Sequence, residues 1–157
     1  MLRCFHFRAR RLGFDRRGNV IIEFALVMPV LFLLLVGMLD LGRYGLQKSS
    51  MLQGARAGGQ YALVAADDSA NINTTAQNAT GLTGVTATSL KFCECVLGTT
   101  VSCSTTCSGG ATLKTYVTVT TTKAFSSILS VATLSFAGMG SWSPPTSTTA
   151  SVTLIVP

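Results

Sequence analysis

Histidine is almost missing from this chain: the one residue of that type is His6, and charged residues make up only 11% of the 157 positions. With no histidine after position 6, neither a Ser-His-Asp triad nor an HExxH zinc helix can form in the body of the protein. Gly-x-Ser-x-Gly, Ser-x-x-Lys and phosphate-loop patterns are also lacking. Lys123 near Ser126 is a weak approach to a Ser/Lys dyad, and two surface residues are the better reading. The paired carboxylates Asp67-Asp68 precede Ser69, so a turn and helix N-cap explains them better than a metal or acid–base site. These shortages predict a protein without catalytic activity, cofactor, bound metal or small-molecule substrate.

Hydrophobic residues are abundant instead, at 48%, and they are concentrated. Phe24 to Leu39 carries no charge, and from Asn19 to Leu39 only Asn19 and Glu23 are strongly polar. A helix needs about 20 apolar residues to cross a bilayer core of roughly 30 Å, so this run can span a membrane. Six arginines (Arg3, Arg8, Arg10, Arg11, Arg16, Arg17) precede it against Asp15 alone, so nearly all of the net +6 lies on one side. By the positive-inside rule the N-terminus stays in the cytoplasm and the chain after about residue 40 is translocated. The basic balance is thus a topology signal. It predicts no nucleic-acid partner, because the arginines lie in a short leader with no folded domain behind them. His6 and Cys4 read as solvated leader residues. An ordinary cleaved secretory signal fits poorly, since the apolar run is long and no small-x-small site follows it closely.

Glu23 is the exception within the run, and a carboxylate at membrane depth is a functional hypothesis by default. The order here is a basic leader, Gly18, four residues from Asn19 to Ile22, then Glu23-Phe24 and an apolar helix. This resembles the processing site of type IV prepilins. With Ala25-Leu26-Val27-Met28-Pro29 and Gly37-Met38-Leu39-Asp40-Leu41-Gly42-Arg43, the stretch from about 16 to 66 is similar to the TadE-like family, the pseudopilins of the tight-adherence (Flp-type) pilus assembly system. The resemblance implies cleavage between Gly18 and Asn19 by a prepilin peptidase of the bacterial inner membrane. It also implies that Glu23 neutralises the freed α-amine of a neighbouring subunit. Major Flp pilins carry Glu-Tyr where this chain has Glu23-Phe24, and they are shorter. Both departures favour an accessory pseudopilin that meets other pilins and tight-adherence assembly proteins. The alternative is an uncleaved single-pass anchor bearing a periplasmic binding or structural module.

The pattern predicts one helix from about Asn19 to Ala66, kinked near Pro29. Past Leu39 it carries a stripe of mostly small residues that includes Met51, Ala55, Gly58, Gly59 and Ala62. Gly54-x-x-x-Gly58 and Ala55-x-x-x-Gly59 suit either close approach of another helix or seating of the domain's own sheet. A short helical face follows at Ile72, Ala76 and Ala79, ended by Gly81. Strands are expected at Val85–Val96, Leu113–Thr121 and Thr148–Val156, with a weaker one near Val101–Ser104. Ala124–Ala137 fits a helix face or a loop, and Trp142-Ser143-Pro144-Pro145 is a loop. Cys93, Cys95, Cys103 and Cys107 are spaced too tightly at the first pair for a usual zinc knuckle, so disulfides are preferred over a zinc-binding sensor. A hairpin turning near Gly98 favours the nested pairs Cys95–Cys103 and Cys93–Cys107 over Cys93–Cys103 with Cys95–Cys107.

The expected architecture is α+β and pilin-like, a long N-terminal transmembrane helix followed by a small antiparallel β-sheet domain. Its parts are a cytoplasmic leader (1–18), the transmembrane helix (19–40), a periplasmic helical stalk (41–80) and a β-rich periplasmic domain (81–157).

Overall fold

The computed structural model describes residues 16–96, 98–128, 134–136 and 140–157. The readings of Cys4 and His6 therefore lie outside the described residues, as does part of Ala124–Ala137. The chain divides into two compact units, Met1–Gly37 and Met38–Pro157.

Helix α1 runs from Arg16 to Ala62 with Pro29 inside it. It stops four residues short of the expected Ala66. Val64 N donates to Tyr61 O at 3.0 Å, an i to i−3 bond that tightens the last turn and ends the helix. In the first unit most apolar side chains are uncovered, Val36 near its end being buried. Ile21, Phe24, Leu26, Phe32 and Leu34 are each more than half exposed, so the chain itself does not cover them. Helix α1 is long and apolar enough to cross a membrane.

In the second unit, α2 (Ser69–Ala79) opens with Asp68 as its N-cap. The Asp68 carboxylate accepts from Asn71 N at 3.1 Å and Asn71 Nδ2 at 2.6 Å, and the Tyr61 hydroxyl reaches it at 3.4 Å. Ile72 and Ala76 are buried, whereas Ala79 is exposed and does not extend that face. Gly81 follows the Thr80 C-cap at φ +64°, the left-handed conformation that glycine adopts without a Cβ clash.

A four-stranded antiparallel sheet follows, in the order β2-β1-β3-β6, from β1 (Thr86–Val96), β2 (Thr99–Val101), β3 (Lys114–Ala124) and, later in the chain, β6 (Ser147–Val156). A separate hairpin joins β4 (Leu134–Phe136) to β5 (Gly140–Trp142). The helix reading of Ala124–Ala137 therefore gives way to an irregular strap at 125–128 and a short strand. Alternation in β3 is as the sequence predicts. Val117, Val119 and Thr121 are buried, while Tyr116, Thr118 and Thr120 between them are not. The inner face carries Ala87, Val117, Val119 and Val156 in one cluster with Ala62, Ile72 and Ala76 from the helices. The Thr121 hydroxyl is satisfied inside the core by Met51 O at 2.9 Å.

The small-residue stripe of α1 seats this sheet and α2. A Cβ at Gly58 would lie 2.8 Å from Ala76 Cβ and 3.1 Å from both Ile72 O and Val119 Cγ1, and one at Gly59 would strike Leu154. Of the two readings of the stripe, packing against the chain's own domain is the one the structure displays.

The cysteines form two disulfides, Cys93–Cys103 and Cys95–Cys107, with Cα separations of 5.1 and 5.6 Å. This is the interleaved pattern and not the nested one preferred from spacing. The physical reason is register. The hairpin turns tightly at Gly98 (φ +85°), which sets Val96 opposite Thr99 and Cys93 opposite Val101. Nesting needs Cys95 opposite Cys103, a shift of several residues. The same tight turn moves the weak strand forward to Thr99–Val101. Non-reducing peptide mapping is expected to recover the Cys93–Cys103 and Cys95–Cys107 cross-links. Because Cys93 is fully buried, replacing Cys93 and Cys103 together by alanine is expected to lower unfolding stability by about 2–4 kcal/mol in denaturant titration.

Candidate functional site

The sequence-predicted processing residues Gly18, Asn19, Glu23 and Phe24 all lie within α1. A glycine within a helix lowers local helix propensity by about 1 kcal/mol relative to alanine, so the backbone opens at less cost at Gly18 than at its neighbours. Asn19 and Glu23 are i and i+4, one above the other on the helix. Phe24 is 61% exposed, as are its apolar neighbours, so this end of the helix offers a continuous greasy surface.

A second constellation was missed in the sequence, at Asp40. After β3 the chain runs back along α1 in the opposite direction. Gln47 Nε2 donates to Ala124 O at 3.3 Å, and Tyr44 meets Phe125 edge to face with centroids 5.4 Å apart. Arg43 lies 5.9 Å from the Phe125 ring centroid, within cation–π range. The strap ends at Asp40, whose carboxylate accepts from Ser127 Oγ and from Ile128 N at 3.0 Å, with Arg43 at 3.5 Å. The Asp40 side chain is only 13% exposed. Phe125 itself is buried and donates its N–H to Thr146 O at 2.9 Å. The sequence signal was Asp40 itself, a carboxylate placed directly against the end of an apolar run.

Asp67 and Asp68 hold no metal-like arrangement. Asp67 pairs with Lys91 at 2.6 Å, and Asp68 caps α2. Among the described residues no cluster of three or more His, Cys, Asp or Glu could hold an ion. Lys123 donates to Thr83 O across the sheet edge. Hydrogen bonds from the Asn71 side chain and backbone hold the Asp68 carboxyl below its ordinary range. A carboxyl lowered in the folded state contributes stability above its unfolded pKa and loses it as pH falls through the folded value. Wild type is therefore expected to lose stability relative to Asp68→Asn as pH drops below about 4, measured by denaturant unfolding across an acid pH series.

The described chain is thus an α+β protein in which one long, apolar N-terminal helix is followed in sequence by a small disulfide-bonded antiparallel sheet. Its residues 18–60 match the family described as TadE-like protein. That match covers Gly18, Glu23, the apolar run, Asp40 and the glycine stripe. No curated protein and no solved structure matches the chain.

Proposed function

We propose that this protein is an accessory, or minor, pseudopilin in the assembly of a type IV-related tight-adherence pilus, processed by a prepilin peptidase after Gly18. The observation that carries the reading is the TadE-like match over 18–60, which includes a glycine five residues before a glutamate at the head of an exposed apolar helix. Cleavage would free the α-amine of Asn19. Glu23 lies within one turn of that position and is the carboxylate to pair with the same amine of a neighbouring subunit. An amine and a carboxylate in low dielectric each need such a partner. The apolar helix holds the subunit in the inner membrane until it is buried against other pilins and assembly proteins. The arginine leader favours a cytoplasmic N-terminus and a periplasmic sheet domain, and two disulfides suit that oxidising compartment. The protein would act by assembly, without catalysis of its own.

Intact mass of the protein purified from membranes of cells that hold a prepilin peptidase tests this. A chain beginning at Asn19 is the expected result. A chain that keeps residues 1–18 would assign the protein to the uncleaved single-pass anchors instead.

A further inference from the structure

The strap at 125–128 invites a question about what its far end touches. Asn19–Leu39 is twenty-one residues, about 31 Å of helix at 1.5 Å per residue, enough for a bilayer core of roughly 30 Å. Arg43, about one turn further on, is a cation that can reach headgroups from a helix end. On that span Asp40 falls at the edge of the hydrocarbon. A carboxylate there is costly unless its charge and lone pairs are met. Ser127, Ile128 N and Arg43 supply those partners.

The same contacts bring Ile128 to the level of Asp40. Ile128 is 52% exposed, beside a helix whose Leu39, Leu41 and Leu46 are 54%, 70% and 74% exposed. The sequence that Ile128 leads into contains no charge at all. Lys123 is the last charged residue of the chain, and Leu129, Val131, Leu134, Phe136, Met139 and Trp142 follow it. Uncharged sequence with a tryptophan matches the composition of the lipid–water boundary.

We propose that the strap Phe125–Ile128 rests on the lipid headgroup region of the membrane that α1 enters, with Asp40 as the positioning residue that holds it there. This rests on the reading of α1 as a membrane span. The strap then gives the domain a second lipid contact beyond its helix.

The test uses the full chain reconstituted in phosphatidylcholine vesicles, with Ile128→Trp in a Trp142→Phe background so that one tryptophan reports on the strap. Flotation of the vesicles reports the span separately. Lipid brominated near the headgroup is expected to quench Trp emission and leave it blue-shifted, and Asp40→Ala is expected to diminish both effects while flotation persists. Flotation with unquenched, water-like emission from the reporter at position 128 would overturn the strap proposal alone. Loss of flotation in the unmutated chain would overturn the span and the strap with it. Quenching unchanged by Asp40→Ala would overturn the role given to Asp40.

Discussion

Gly18→Phe is expected to leave the protein entirely full-length in cells where the wild-type chain loses its first eighteen residues. Intact mass, or a mobility shift on a gel, reads the difference as all or none. A protease must lay the scissile backbone in extended form across its catalytic groups, and glycine allows the closest approach and the widest choice of backbone angles. A phenylalanine adds bulk at that point and leaves the rest of α1 untouched. Alanine at the same position serves as the control, since a small residue should still be cut. Glu23→Ala separates processing from assembly. Its chain should be shortened at the normal site, because Glu23 lies five residues past the bond, yet it should fail to co-purify with other pilins. Continued cutting of Gly18→Phe at the same bond would remove the processing claim.

Gly54→Val is expected to destabilise the second unit by about 1–3 kcal/mol, whereas Gly45→Ala in the same helix is expected to stabilise it. At Gly54 an added Cβ would lie 2.5 Å from the Ala76 carbonyl oxygen and closer still to the Thr80 methyl. The carbonyl belongs to the backbone of α2 and cannot swing aside as a side chain could. Overpacking of a tight site costs about 1–3 kcal/mol, and a branched residue against backbone lies at the upper end. The helix-propensity gain on leaving glycine offsets less than about 1 kcal/mol of that. At Gly45 nothing lies within 4 Å of the added Cβ, so Gly45→Ala retains the gain of about 0.5–1 kcal/mol undiminished. Thermal unfolding of the detergent-solubilised protein should show the two shifts with opposite sign. Equal effects at the two glycines would mean that α2 does not pack where it is seen.

These glycines also mark where reading the residues alone reaches its limit. A stripe of small residues at three- and four-residue steps looks the same whether it faces another subunit or the chain's own domain. The placement of Ala76 and Ile72 of α2 and Leu154 of β6 against Gly54, Gly58 and Gly59 shows that the chain's own domain occupies it. The cysteines show the same limit. Four of them in fifteen residues announced disulfides, but which sulfurs meet depends on hairpin register. A turn at Gly98, tighter than the spacing suggested, changed the pairing to Cys93–Cys103 and Cys95–Cys107.

By itself the sequence determined the apolar span, the leader charge, the Gly18 to Glu23 spacing, the Asp68 cap and three long strands. Each depends on residues that are neighbours along the chain, where helical or strand period and covalent distance leave little choice. Only the tertiary structure decided the seat of the glycine stripe, the disulfide partners and the strap that meets Asp40. Ser127 and Asp40 stand 87 positions apart, and no local period links them. Their contact exists because the chain, on leaving β3, returns alongside a helix that packs against the sheet.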